Sequence, residues 1–191
     1  TLRLVSVDGY RLAIREEPVQ ANEEASFVVP GKTLNEVTKL LSDSEEETLS
    51  LVVGRRHILF KIGNYTVISR LLEGEFLDYK AAIPAASSTE VLVNTRSFIE
   101  SVERVSLLIT DRLKSPVRCL FEDNEIKLSC STSMGRANDQ FEAQITGSNV
   151  EIGFNNRYLL DAQRNAEGDE VKVQLNGPLS PMKVLPREGN A

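Results

Sequence analysis

Hydrophobic and polar residues alternate along most of this chain, which is the pattern of β-strands that bury one face. The alternation predicts strands at residues 2–7, 11–15, 26–30, 48–54, 56–63, 64–72, 90–93, 115–122, 125–131, 139–145, 150–154, 171–176 and 182–186. Asp8 and Gly9 lie between the first two strands, and this residue pair is typical of a tight hairpin turn. Most of the chain is therefore predicted to be short strands joined by turns.

Three segments show helical spacing of their apolar residues instead, at residues 32–41, 95–108 and 156–165. In the second segment, Phe98, Val102 and Val105 fall on one face, which we expect to point into a core. The acidic run at residues 42–47 is predicted to end the first helix as a solvated loop. Residues 73–86 are predicted to be irregular.

The three predicted helices begin with a shared pattern, which indicates an internal repeat. Their entries are Pro30-Gly31-Lys32, Asn94-Thr95-Arg96 and Asn155-Asn156-Arg157, so the cations are 64 and 61 residues apart. An acid follows each cation after four positions, as Glu36, Glu100 and Asp161. A period of this length indicates a repeated supersecondary unit, here a strand, a helix and three strands. Two such units would form a domain of roughly 120–130 residues, and the predicted class is α+β.

Composition and charge limit the classes of protein. Apolar residues make up 41% of the chain and charged residues 26%, which is ordinary for a globular protein with a core. No run approaches the ~20 apolar residues of a membrane helix, so no membrane span is predicted. The net charge of −6 argues against simple nucleic-acid binding, unless basic groups are segregated on one face. Because the chain opens inside a strand pattern and without Met, we expect a fragment of a longer protein.

No set of residues points to catalysis, to a cofactor or to a metal. His57 is the single histidine and no CxxC pair occurs, so a zinc site lacks ligands. Residues 31–33 resemble the end of a phosphate-binding P-loop, but Ser26 occupies the position where that loop needs glycine. Cys119 and Cys130 lie in apolar strands and are expected to be buried thiols in a reducing compartment such as the cytoplasm, with a disulfide between them as the alternative.

Cations recur on the predicted helices at spacings of seven or eight residues, which places each pair on roughly one helix face. The pairs are Lys32 with Lys39, Arg96 with Arg104, and Arg157 with Arg164. One interpretation is local pairing with the acids of the repeat, as in a repeat-built protein-interaction scaffold without DNA binding. The other is a surface that follows a phosphate backbone without reading sequence. These residues alone leave both interpretations open.

Three stretches resemble bacterial DNA sliding clamps, the beta subunits of DNA polymerase III. Residues 5–13 (VSVDGYRLA) are similar to the family's T-D-G-x-R-L-A segment, with Val7 in place of Thr. Residues 71–79 (LLEGEFLDY) are similar to L-x-x-G-x-F-P-D-Y, with Leu77 in the Pro position, and residues 151–161 (EIGFNNRYLLD) are similar to I-G-F-N-x-x-Y-L-x-D. Residues 176–181 (NGPLSP) fit the end of the family's last domain.

The resemblance implies a DNA-clamp fold of repeated strand-helix-three-strand units, with helices on one face and antiparallel sheets outside. Family members are head-to-tail homodimers of three-domain subunits that form a ring around duplex DNA, hold it independently of sequence and have no enzymatic activity. By this resemblance, residues 1–86 are part of the middle domain. Residues 87–191 are then the C-terminal domain without its last strand and tail.

The resemblance also implies two sets of functional residues. The family's hydrophobic groove binds short peptides of the polymerase catalytic subunit, the clamp loader and repair proteins, and the matching positions are Val7, Gly9, Tyr10, Arg11, Leu12, Leu77, Ala81 and Ala82. Ala81 and Ala82 are smaller than the residues common in the family. The candidates for facing DNA, placed by helix position, are Lys32, Lys39, Arg96, Arg104, Arg157 and Arg164.

Overall fold

The computed structural model describes residues 1–42 and 48–188, so most of the predicted acidic loop at 42–47 lies outside the described residues. The strands are β1 (Leu2–Val7), β2 (Leu12–Glu17), β3 (Leu49–Val53), β4 (His57–Ile62), β5 (Tyr65–Arg70), β6 (Thr89–Asn94), β7 (Val117–Glu122), β8 (Glu125–Thr132), β9 (Gly135–Glu142), β10 (Gln144–Gly147), β11 (Val150–Phe154), β12 (Glu170–Leu175) and β13 (Lys183–Pro186). The helices are α1 (Gly31–Thr38), α2 (Thr95–Ser106) and α3 (Asn156–Arg164), with a short 3-10 helix at Tyr79–Ala82.

The chain divides into two compact units. The larger unit contains Thr1–Pro18 together with Tyr79–Ala191, and the smaller unit contains Val19–Asp78. None of the helices among the described residues is long and apolar enough to span a membrane.

The smaller unit packs α1 on an antiparallel sheet of β3, β4 and β5. Alternate residues of β4, Ile58, Phe60 and Ile62, are buried with Val37 of the helix, as the alternation predicts. The strand predicted at residues 26–30 is wrong, because the described chain forms only an isolated bridge there, between Val28 and Leu72.

The first helix ends at Thr38, three residues before the predicted end at 41. Leu40 and Leu41 donate backbone hydrogen bonds to the carbonyls of Val37 and Thr38, three residues back. These bonds tighten the last turn and end the α-helix, although the apolar spacing continues through both leucines.

The larger unit contains two four-stranded antiparallel sheets and the β1–β2 hairpin. The sheet orders are β10-β6-β12-β13 and β11-β7-β8-β9, and both sheets contribute to one core with α2 and α3. Phe98, Val102 and Val105 are fully buried, which confirms the predicted inward face of α2. Cys119 and Cys130 are buried free thiols, and burial raises the pKa of Cys119 far above its ordinary value.

One predicted strand, at residues 139–145, is two strands in different sheets. β9 pairs with β8, whereas β10 pairs with β6, so the chain crosses between the sheets at Ala143. The backbone carbonyl of Asn124 accepts a hydrogen bond from Ala143 at 2.9 Å, and its side chain accepts one from Ile145 at 2.9 Å. Because the alternation of residue types continues through the crossing, sequence periodicity could not reveal it.

The repeat in the helix entries is confirmed at the level of the backbone. Pro30, Asn94 and Asn155 are the N-cap residues, with ψ angles of 131°, 123° and 124°. The side chains of Asn94 and Asn155 accept hydrogen bonds from backbone N–H groups of the first turn, which stabilises both helix starts. The predicted α+β class is therefore correct, and it is built on equivalent helix starts.

Candidate functional site

The turn between β1 and β2 is organised by Asp8. Its carboxylate accepts hydrogen bonds from the backbone of Tyr10 at 2.8 Å and of Arg11 at 3.0 Å. The Tyr10 bond is the main cause of a pKa for Asp8 below its ordinary value, and the bonds from Arg11 add to it. Gly9 has no positive φ, so the turn is shaped by these bonds to the Asp8 side chain and does not use a left-handed glycine.

The tip of this hairpin lies on α3. Arg11 donates from Nη1 to Asp161 at 2.6 Å and from Nε to Asp8 at 3.0 Å. Its guanidinium carbon lies 4.5 Å from the ring centroid of Tyr158, and the rings of Tyr10 and Tyr158 are 5.8 Å apart. Arg11 is therefore fixed by two carboxylates and an aromatic ring.

The predicted groove residues of the hairpin lie together in the larger unit. Val7 and Leu12 are paired across the strands and half-buried, whereas Gly9, Tyr10 and Arg11 are exposed at the tip. Tyr10 has 82% of its surface exposed, so most of its side chain is accessible at the tip.

Ala81 and Ala82 are exposed on the 3-10 helix of the same unit. Tyr79 of that helix accepts a hydrogen bond from Arg3 of β1 at 3.3 Å, which links the hairpin to the helix. Leu77, 53% exposed, belongs to the smaller unit.

Five of the six predicted DNA-facing cations form ion pairs among the described residues. The pairs are Lys39–Glu36, Arg96–Glu100, Arg104–Asp139, Arg157–Asp111 and Arg164–Glu103, at 2.6–2.8 Å. Only Arg96–Glu100 is a pairing that the repeat predicts. The side chains of these five cations are 51–87% exposed. Exposed pairs contribute about 0–1 kcal/mol, so each cation can exchange its partner for a phosphate at little cost.

Comparison with known families decides what this chain is related to. The family model of the C-terminal domain of the DNA polymerase III beta subunit matches residues 80–190, and that of the central domain matches residues 1–78. The chain belongs to the DNA polymerase III beta subunit family. The predicted resemblance is therefore confirmed.

Individual relatives of this beta-subunit chain agree with the family match. The beta sliding clamp of Bacillus subtilis is 34% identical over 188 residues, which are 96% of this chain and 50% of that relative. The beta sliding clamp of Staphylococcus epidermidis is 30% identical over 190 residues, which are 97% of this chain and 50% of that relative. The chain thus spans about half the length of these curated relatives.

Solved structures confirm the predicted clamp fold of this beta-subunit chain. The sliding clamp of Bacillus subtilis matches with a TM-score of 0.93 and 31% identity, over 98% of this chain and 50% of that one. A sliding clamp of Bartonella birtlesii, solved bound to griselimycin, matches with a TM-score of 0.89 and 31% identity, over 98% of this chain and 51% of that one.

Two of the stretches that carry the family resemblance meet in space. Residues 5–13 form the hairpin, residues 151–161 form the end of β11 and the start of α3, and Arg11 bonds Asp161 between them. Sequence reasoning missed Tyr158 and Asp161 as partners of the hairpin. Arg11 and Asp161 are 150 residues apart, and the only pairing of Asp161 that the sequence suggested was the local one with Arg157, as one of two open interpretations.

Proposed function

We propose that this chain is part of a sliding-clamp subunit, a non-enzymatic cytoplasmic processivity factor that encircles duplex DNA and tethers a replicative polymerase and other partners. The observation that carries the proposal is the set of exposed cations at equivalent positions of three helices in a chain of this family. Their weak ion pairs suit contacts that form and break as a ring slides, because such contacts are independent of sequence.

The net charge of −6 is compatible with this role. A ring retains DNA by topology, so its contacts with phosphate can be few and weak. Cations on the helices are sufficient for that purpose while the rest of the surface stays acidic.

We further propose that the β1–β2 hairpin supplies one wall of a groove for short hydrophobic peptides, together with Ala81 and Ala82 of the same unit. Leu77 is a candidate from the family resemblance alone. Val7 and Leu12 offer apolar surface, and the exposed ring of Tyr10 offers a contact for an apolar side chain. Arg11 has five N–H groups, of which two are bonded to Asp8 and Asp161. Because these bonds fix the guanidinium, its other N–H groups are pre-oriented to bind peptide carbonyls. Partners of this kind include the polymerase catalytic subunit, the clamp loader and repair proteins.

The domain division follows the repeat. We assign residues 1–86 to the middle domain and residues 87–191 to a C-terminal domain without its last strand and tail. Near the start of the proposed C-terminal domain, the backbone N–H of Ser88 donates to the carbonyl of Leu175 at 2.9 Å, which connects Ser88 to the end of β12. In the first repeat of this domain, the β9–β10 segment pairs with β8 and then with β6. In the second repeat, β13 corresponds to β8 and β11 corresponds to β6. A segment equivalent to β9–β10 would therefore pair with β13 and then with β11, and the outer edges of both strands are open among the described residues.

We propose a head-to-tail homodimer for the subunit at the full length of its relatives. A head-to-tail contact joins one surface of a subunit to a different surface of a second copy. Leu107, 81% exposed after α2, and the edge of β9, which is unpaired among the described residues, are each candidates for such a surface, because exposed apolar residues and open strand edges favour association.

The second candidate function is a protein-interaction scaffold without DNA binding. It is favoured by the acidic partners that five of the six cations already have. This alternative expects that neutralising those cations leaves behaviour toward DNA unchanged.

One experiment separates the two functions. A version of the protein extended to the length of its relatives is loaded by a clamp loader on nicked circular plasmid and passed down a sizing column at high salt. The sizing-column run is repeated after the plasmid has been cut once. A sliding clamp stays with the circle and leaves the linear form, whereas a scaffold leaves both equally.

A further inference from the structure

An open cleft in the smaller unit is lined by three arginines. It has a volume of about 390 Å³ and lies between residues 26–28, the turn after β3 and residues 70–74. Its arginines are Arg55, Arg56 and Arg70. The stretch 19–78 that forms this unit has six Lys and Arg residues against ten Asp and Glu. Half of the cations of an acidic unit therefore line one cleft.

The charge of the cleft is largely uncompensated. Arg70 pairs with Glu73 at 3.0 Å, and both side chains are exposed, at 66% and 78%. No carboxylate among the described residues pairs with Arg55 or Arg56, which are also exposed. With three arginines and one glutamate, the charged side chains that line the cleft have a net positive charge, which attracts an anion.

The fold does not require arginines at this turn. The carbonyl of Arg56 accepts a hydrogen bond from the backbone of Leu71 at 2.9 Å, just as Asn124 accepts one from Ala143 at 2.9 Å in the larger unit. The repeat thus makes the two turns equivalent, and Asp123 and Asn124 replace Arg55 and Arg56 in the second one. Since only a backbone carbonyl serves the fold here, the guanidinium groups are free for another role.

We propose that this cleft binds phosphate groups of a DNA backbone, at a site distinct from the helix cations. This inference rests on the proposed function for DNA as the partner. The guanidinium fork matches two phosphate oxygens, and Arg55 and Arg56 have their donors available. Of the apolar residues that line the cleft, Phe27 and Leu71 pack against the unit's own core, and Leu72, 53% exposed, offers an apolar contact beside three arginines. Charge is therefore the main recognition element, which favours phosphate over a hydrophobic peptide.

The test measures binding of this 191-residue chain to a short single-stranded oligonucleotide and to a short duplex over a range of salt concentrations. The double variant Arg55→Gln with Arg56→Gln removes the charges and keeps the polar side chains. We expect its Kd to rise about tenfold at low salt, and the slope of log K against log salt to fall by about 1–2. The double variant Arg55→Lys with Arg56→Lys should restore most of that slope.

The matched control is Arg118→Gln, which neutralises an exposed arginine on β7 of the larger unit and should leave the slope unchanged. A larger effect on the duplex or on the single strand identifies which form supplies the phosphate. An unchanged slope for both oligonucleotides in the Gln variant overturns the proposal. Binding of an acidic test peptide is measured with the same variants. If the Gln variant loses binding of this peptide alone and binds both oligonucleotides as before, the proposal is also overturned and the cleft is assigned to a protein partner. Retention on circular DNA does not depend on this result, so failure of the cleft is distinguishable from failure of the clamp.

Discussion

Gly147 lies where a single added methyl group should disrupt the pairing of β10 with β6. It ends β10, has a φ of +112°, and lies opposite Thr89 at the start of β6. A Cβ added there would lie closer than 3.0 Å to the carbonyl oxygen of Ser88 and 3.0 Å from the Cα of Thr89. Both neighbours are backbone atoms at or just before the start of β6, so the contact made by Gly147→Ala cannot be relieved by moving a flexible side chain.

The size of the effect follows from two costs. A non-glycine residue in this backbone conformation costs about 1–3 kcal/mol. Separating the two strands also weakens the bonds from Ser148 to Ser88 at 3.3 Å and from Thr89 to Ser148 at 2.6 Å, each contributing about 1 kcal/mol. We therefore expect Gly147→Ala to lower the free energy of unfolding by about 3–5 kcal/mol, a large part of the 5–15 kcal/mol typical of a domain.

Gly177→Ala is the matched control. Gly177 also has a positive φ, of +80°, but no heavy atom lies within 4 Å of an added Cβ. This variant should lose only the backbone cost, about 1 kcal/mol or somewhat more. Urea unfolding followed by far-UV circular dichroism measures both variants. Equal losses in the two variants would show that the contact with Ser88 has no energetic role and would refute the reasoning.

Three further predictions concern the hairpin and the core. Asp161→Asn should weaken binding of a hydrophobic partner peptide about two- to fivefold, because it releases Arg11 from an exposed ion pair that contributes up to about 1 kcal/mol, and it should lower the Tm by no more than about 2–4 °C. Glu103→Gln on α2 breaks a similar exposed ion pair, so it should lower the Tm as little and leave peptide binding unchanged. Because the pKa of Asp8 is lowered in the fold, the turn it stabilises should be intact above its unfolded pKa of about 3.9 and lost as pH falls through the folded value. The amide NMR shift of Tyr10 should report this transition. If an Asp8→Asn variant shows the same pH-dependent change of that shift, the transition does not come from the Asp8 carboxylate. Cys119 should resist a thiol reagent at neutral pH until urea unfolds the chain, since burial raises its pKa, and fast labelling of the native protein would show that the strand opens.

Local patterns predicted much of the fold. The helix starts at Asn94 and Asn155 depend on a capping side chain and on the apolar spacing that follows, and both are visible in neighbouring residues. The buried face of α2 was predictable for the same reason. The crossing at Ala143 was not, because pairing with a second sheet leaves the alternation of side chains unchanged.

The contacts of the candidate site could not be predicted from the sequence. The family resemblance places a groove at Gly9 to Leu12, but the partner of Arg11 is Asp161 on α3 and cannot be deduced from spacing. The local pairing of Arg157 with Asp161, one of the two interpretations that the sequence left open, does not form because Asp111 and Arg11 approach these side chains from other segments. Exposed charges have several partners within reach at similar free energy, so sequence spacing alone does not determine the pairs.

The central claim, that DNA is held by encirclement, is tested most directly by the release rate from a closed circle. The extended, fluorescently labelled protein is loaded on nicked circular plasmid at high salt, and a restriction enzyme that cuts once is added while release is followed. We expect slow release before the cut and rapid loss from the DNA ends after it, with little dependence on salt before the cut. Release that depends on salt and is unchanged by the cut would contradict encirclement and would assign the helix cations to surface pairing.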